Sequence, residues 1–141
     1  MILTEILKEN AEKYPEAEAV TMLIGYRTVT FTYKQVYELA KKTALFLQQE
    51  GIKKGDKVFI FAHNSPYWGI LFWGIMLCGA IAVPLNVQST ADMIKRISEQ
   101  VDSALFFKSK FLKRELPNNL KIYEIDFLDE LVEGFDVKDF K

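Results

Sequence analysis

The sequence predicts an α/β fold: a parallel sheet flanked by helices, preceded by an N-terminal helix and a β-hairpin. Three observations predict it. From residue 57 onward, apolar β-type runs alternate with helical runs, the order that yields parallel strands with helices on the sheet faces. Residues that start and stop helices stand at the junctions of those runs. The chain has 141 residues, half of them apolar and 13% aromatic. That is enough to bury a core as one domain, and too aromatic for a disordered chain.

The elements follow in order. Residues 2–14 read as a helix, with Leu3, Ile6, Leu7, Ala11 and Tyr14 near one face and Pro15 as its stop. Ala19–Ile24 and Thr28–Thr32 are two short β-branched runs around Gly25 and Tyr26, the signature of a hairpin. Thr32-Tyr33-Lys34-Gln35 is a capping box. Its hydroxyl serves the third helical N–H, and its glutamine reaches back to the cap. The helix it opens places Val36, Leu39, Ala40, Thr43 and Leu47 on one face and ends at Gly51. Lys53-Lys54-Gly55-Asp56 is a turn, and Val58–Ala62 is a strand apolar throughout, as burial on both faces requires.

Ser65 and Pro66 start a helix over 66–78 that is apolar on nearly every side, and Gly79 stops it. Trp68 and Trp73 read as its core aromatics. Ala80–Leu85 is the next strand. Ser89 or Thr90 then caps a helix with Ile94, Ile97 and Val101 inward, and Ala104–Phe107 is a strand. Lys110–Leu116 reads as a short helix, Leu120–Ile125 as a strand, and Asp126 as the cap of a last helix ending at Gly134. The chain divides into 1–56 (first helix, hairpin, capped helix), 57–134 (alternating β/α subdomain) and 135–141, a polar connector.

Val58 to Ala91 contains no Asp, Glu, Lys or Arg. A membrane anchor over 66–84 would fit such a run, since a span needs about 20 apolar residues. The turn residues His63, Asn64, Ser65 and Pro66 before it, and Pro84 and Asn86 after it, favour a buried strand–helix–strand unit instead. Residues 1–14 carry too many charges for a signal peptide. With Cys78 as the single cysteine, a cytoplasmic location is the simplest expectation.

Several chemistries lack their residues. The net charge is −1, against a nucleic-acid partner, which takes a strongly basic surface. The seven glycines form no phosphate-cradling pattern. One His and one Cys do not supply a zinc site, and no nucleophile–base arrangement is present. Catalytic, cofactor-binding and metal-ligating residues are therefore none. His63 reads as a hydrogen-bonded structural residue in preference to one lining a ligand crevice; the roles of His63 and Asn64 stay open. Cys78 reads as an inert buried thiol. Asp92, Asp126 and Asp129 stand where helix caps are wanted. The Lys108–Arg114 cluster, with Phe107 and Phe111, reads as the solvated face of a short amphipathic helix rather than a basic aromatic patch.

Four segments together resemble the adenylate-forming enzymes. Thr30-Phe31-Thr32-Tyr33-Lys34-Gln35-Val36 resembles the entry to their first core helix, and Gly55-Asp56-Lys57-Val58 their turn before the first buried strand. Asn64-Ser65-Pro66-Tyr67-Trp68 resembles their Asn-Ser helix start, and Ile75–Asn86, with Gly79-Ala80 and Pro84-Leu85-Asn86, their second core motif. The Trp68 form and Pro84-Leu85-Asn86 look most like acyl-CoA synthetases acting on long-chain fatty acids. The resemblance implies the large N-terminal domain of such an enzyme, which makes an acyl-adenylate from a fatty acid and MgATP and transfers the acyl group to CoA. It also implies a chain cut before the Ser/Thr/Gly-rich phosphate loop, so that ATP, Mg and CoA belong to the parent enzyme and the chain alone is inactive. Its partners would be the remainder of that chain and the fatty acid, with a peripheral membrane contact and homo-oligomerisation left open. A free-standing α/β interaction module is the alternative.

Overall fold

The computed structural model describes residues 2–101, 103–118 and 120–141. The chain runs α1 (Leu3–Lys13), β1 (Glu18–Ile24), β2 (Arg27–Thr32), α2 (Tyr33–Gln49), β3 (Lys57–Phe61), α3 (Pro66–Leu77), β4 (Ile81–Pro84), α4 (Ala91–Gln100), β5 (Ser103–Lys108), β6 (Lys121–Glu124) and α5 (Leu128–Val132). β1 and β2 form a separate antiparallel ribbon. The other four strands form one parallel sheet in the order β4-β3-β5-β6.

The expected capping chemistry is present. Thr32 Oγ1 accepts from the Gln35 N–H at 3.2 Å, and Gln35 Oε1 accepts from the Thr32 N–H at 2.9 Å. Gly51 at φ +92° carries the chain out of α2, a left-handed conformation that side chains resist. Ser65 Oγ accepts from the Trp68 N–H at 3.2 Å with Pro66 at the first helical position. Thr90, not Ser89, caps α4, accepting from the Met93 N–H at 3.2 Å.

β3 is buried on both sides because its alternate residues enter two different cores. Val58 and Ile60 join Leu105 and Phe107 under Ala40, Leu47, Ile70, Leu71, Ile75 and Leu128, so α2, α3 and α5 share one face. Phe59, Phe61 and Phe106 face the other way, against Leu85, Ile94, Leu112 and Leu120. Residues 66–84 form a helix, a turn and an edge strand. α3 has 12 residues and is about 18 Å long at 1.5 Å per residue, against a hydrocarbon core of about 30 Å. No helix among the described residues is long and apolar enough to cross a membrane.

Other expectations need correction. In α1 only Leu7 and Ala11 are buried; Leu3, Ile6 and Tyr14 are exposed, because α1 lies on the body along a narrow stripe. α3 is buried along Ile70, Leu71, Gly74 and Ile75, whereas Trp68 and Trp73 are half-buried. They flank the packed side rather than fill the core. Ile97 and Val101, by contrast, turn inward as expected and pack, half-buried, on the smaller core. Residues 110–116 are not a helix. Their polar groups are held by distant partners: the Lys110 N–H donates to Asp126 Oδ2 at 2.7 Å, and Arg114 Nε donates to the Ser89 carbonyl at 3.1 Å.

Asp126 is thereby engaged away from its own helix, so a 3-10 turn (Ile125–Phe127) precedes α5, which ends at Val132. Asp92 stands in the first turn of α4 without being its cap. Asp129, in the first turn of α5, faces Tyr67. The polar stretch after Gly134 carries one apolar anchor: Phe135 packs on the larger core, 6.3 Å from the Phe46 ring. A 3-10 turn (Val137–Asp139) follows.

Candidate functional site

In open α/β sheets, ligands bind outside the carboxyl ends of the strands, where the strand order reverses. Here the order reverses at β3, whose neighbours are β4 on one side and β5 on the other. The loops leaving these carboxyl ends are stitched together. The Ser109 N–H donates to the Phe61 carbonyl at 2.9 Å, and the Leu85 N–H donates to the Ile60 carbonyl at 2.8 Å.

Beside that reversal, an open cavity of about 540 Å³ is lined by Lys108, Lys110, Lys113, Arg114, Glu115 and Glu124. Lys108 and Glu124 are the last residues of two adjacent parallel strands and pair in register. Lys110 extends over two aromatic faces, 5.1 Å from the Phe111 ring centre and 5.2 Å from that of Phe127. The Arg114 guanidinium is committed to the backbone, donating to the carbonyls of Ser89, Lys113 and Val87. The three lysines therefore give the cavity its cationic character, and Arg114 fixes the loop that carries two of them.

This arrangement can attract an anion. It has no partner set for moving a proton or making a covalent bond. No group of His, Cys, Asp and Glu able to hold a metal ion occurs among the described residues. His63 is exposed and makes no hydrogen bond to the described residues, which corrects the reading of it as a hydrogen-bonded structural histidine. It lies in the loop after β3. Cys78 is half-buried, and its thiol donates to the Ile75 carbonyl at 3.3 Å. Burial pushes that thiol up, away from the reactive thiolate. Burial, and then the Asp129 carboxylate, push the Tyr67 phenol up.

Sequence reasoning found the lysines but read them as a solvated helix face, and it missed Glu124. The signal was available in their position: Lys108 and Glu124 end adjacent parallel strands, and Lys110 and Lys113 lie in the loop after the first of them.

The motif residues turn out to be structural. Asp56 Oδ2 accepts from the Lys53 N–H at 2.7 Å, and its carbonyl accepts from the Ile81 N–H at 2.7 Å, tying the entry of β3 to that of β4. Asn86 Oδ1 accepts from the Gln88 N–H at 2.8 Å and shapes the turn after β4. Thr32, Gln35 and Ser65 cap helices. These positions build turns and helix starts.

Comparison with known proteins identifies the family. Residues 7–136 match the family model described as AMP-binding enzyme. The chain is 25% identical over 130 residues to a long-chain-fatty-acid–CoA ligase of Bacillus subtilis, spanning 92% of this chain and 22% of that one. It is 29% identical over 113 residues to a linear gramicidin synthase of Brevibacillus parabrevis, spanning 80% of this chain and 1% of that one. Among solved structures, the Mycobacterium tuberculosis fatty acyl CoA synthetase superposes with a TM-score of 0.81 at 25% identity, spanning 98% of this chain and 29% of that one. The chain thus spans about a fifth of the length of the long-chain ligase it matches. With motifs, sheet order and family model in agreement across nearly its whole length, this chain belongs to the AMP-binding enzyme family.

Proposed function

We propose that this chain forms the N-terminal α/β scaffold of an ATP-dependent acyl-CoA synthetase, which activates a long-chain fatty acid as its acyl-adenylate and transfers the acyl group to CoA. The observation that carries this reading is the sheet itself. Each matching motif holds a strand entry, a turn or a helix start in place, and the carboxyl edge they create is open and cationic. Similarity to a long-chain ligase over 92% of the chain supports the fatty-acid substrate.

The residues present fit the cofactors unequally. ATP and CoA are polyanions, and Lys108, Lys110 and Lys113 suit an anionic group brought to that edge. Magnesium finds no ligand group among the described residues, and phosphate cradling needs a glycine-rich loop that this sequence lacks. The chemical step is therefore assigned to chain outside these 141 residues.

The test is acid-dependent ATP–pyrophosphate exchange by the intact protein, across fatty acids of increasing length and a panel of amino acids. Exchange with long-chain acids, followed by acyl-CoA formation, is the expected result. Exchange with amino acids alone would reassign the protein to peptide-synthetase adenylation, the reading favoured by its likeness to the gramicidin synthase. No exchange with any acid would remove the proposal.

A further inference from the structure

Glu50 caps the C-terminus of α2, an end where a helix favours a cation over an acid. The last turn of α2 has no basic residue of its own. Glu50 instead accepts from two residues on one side of β6: Lys121 Nζ and, at 2.6 Å, Tyr123 Oη. Lys121 is largely exposed, so the ion pair adds little stability. A local rule broken for a weak contact 71 residues away marks a position that serves something besides helix stability.

β6 needs such a contact. None of its four residues is buried, and a strand without a buried face has a weakly specified register. Leu120 and Ile125 anchor its two ends, in the smaller and the larger core. That leaves the pitch of the residues between them to their own contacts. Tyr123 stacks on Phe107 of β5 with ring centres 5.6 Å apart, and meets the Phe46 ring of α2 edge-on at 5.2 Å. Glu50 then holds the end of the Tyr123 side chain.

The segment that follows forms one wall of the cationic cavity. Glu124 lines it, in register with Lys108. Asp126 Oδ2 accepts from the Lys110 N–H at 2.7 Å, and the Phe127 ring centre lies 5.2 Å from Lys110 Nζ. Lys110 thus takes its place from the chain that β6 leads into. A shift of β6 by one residue would turn Glu124 to the opposite face and draw Asp126 and Phe127 away from Lys110.

We propose that Glu50 is a positioning residue for anion binding at the cationic edge. By gripping Lys121 and Tyr123 from the α2 side of the sheet it sets β6, and through Asp126 and Phe127 it sets Lys110. Glu50 acts through the strand, not on the anion itself. That the anion belongs to ATP or CoA rests on the proposed function; the clamp does not. Charge alone predicts the opposite sign: removing an acid strengthens the attraction of an anion, whereas releasing the clamp weakens binding.

The test is calorimetric titration of the intact protein with ATP and with CoA at low ionic strength, each variant being shown folded by circular dichroism. Glu50→Ala should weaken binding of the nucleotide that the cavity takes several-fold. Glu50→Gln, which still accepts from Tyr123 Oη, should recover most of that loss. Tyr123→Phe, which keeps the ring and loses the hydroxyl, should weaken binding by a smaller factor and serves if Glu50→Ala fails to fold. In a protein carrying Lys110→Gln and Lys113→Gln, Glu50→Ala should make no further difference. Affinity unchanged or raised when the clamp is released, a loss that persists without the two lysines, or no binding of either nucleotide by the unmodified protein would each overturn the proposal. Pyrophosphate exchange is read on the same samples. Exchange with affinity indifferent to Glu50→Ala would remove the positioning role and leave the enzyme assignment standing. Clamp-dependent binding without exchange would sustain the positioning role and remove its link to acid activation.

Discussion

Gly74 and Thr43 mark a close approach of α3 to α2: a Cβ built on Gly74 would lie 2.6 Å from both Cβ and Cγ2 of Thr43, and 3.2 Å from the Ala40 carbonyl oxygen. Thr43 cannot easily yield, because it is buried and its Oγ1 donates to the Leu39 carbonyl at 2.7 Å. Gly69, one and a half turns earlier in the same helix, meets nothing within 4 Å.

The same substitution at these two glycines should therefore have opposite signs. Gly69→Ala should stabilise by up to about 1 kcal/mol through helix propensity. Gly74→Ala should destabilise by about 1–3 kcal/mol, since overpacking outweighs that gain. Chemical denaturation of the two variants checks this. Equal effects would mean that the helices do not meet at Gly74.

Leu71 and Ile75 lie on the same packed side of α3 and have no exposed surface. Truncating either to Ala should cost about 2–5 kcal/mol, the transfer term plus the cavity term. Equilibrium unfolding would show the fall. Losses at the level of ordinary surface changes would place α3 outside the core.

At the opposite edge of the sheet, Glu50 at the end of α2 accepts from Lys121 Nζ and, at 2.6 Å, from Tyr123 Oη. The Lys121 hydrogen bond first, and that of Tyr123 second, hold the Glu50 carboxyl below its ordinary value of 4.5. A carboxylate lowered on folding stabilises the fold above its unfolded value, and loses that contribution as pH falls through the folded one. Glu50→Gln should therefore lower the melting temperature at pH 7 by an amount reflecting less than about 1 kcal/mol, because the pair is solvent-screened. The difference from the unmodified protein should shrink as pH falls below 4.5. A difference that grows on acidification would contradict the assignment.

The cationic edge makes a prediction of its own. Lys110→Glu combined with Lys113→Glu should raise the KM of the intact protein for CoA or for ATP several-fold, leaving KM for the acid unchanged. The effect should shrink in high salt, since exposed charges are screened beyond about 10 Å at 0.1 M ionic strength. Steady-state kinetics at two salt concentrations would show it. Unchanged KM for both nucleotides would make the edge a solvated surface.

The sequence disclosed what local chemistry decides. The capping box of Thr32 and Gln35, the Ser65-Pro66 helix start and the doubly buried run at Val58 were legible because each rests on near neighbours or on periodicity. Residues 110–116 were not. Leu112 looks like the apolar position of a helix, but it is buried under the sheet while Arg114 bonds carbonyls 25 and 27 residues away. Asp126 looked like a cap because nothing local reveals that Lys110, 16 residues earlier, claims it. The half-buried side of α3 was equally hidden: a helix apolar all round does not say which flank its neighbours cover less fully. The candidate site was legible only as a cluster of lysines, since its shape depends on β5 and β6 ending side by side.

If these 141 residues are scaffold, as proposed, catalysis needs further chain. The direct measurement is ATP–pyrophosphate exchange with a long-chain acid, comparing residues 1–141, shown to be folded by circular dichroism, with the protein extended through a glycine-rich phosphate loop. The account predicts no exchange by residues 1–141, with ATP bound no tighter than about 1 mM, roughly −4 kcal/mol, and acid-dependent exchange by the extended protein. Exchange by residues 1–141 alone would contradict it.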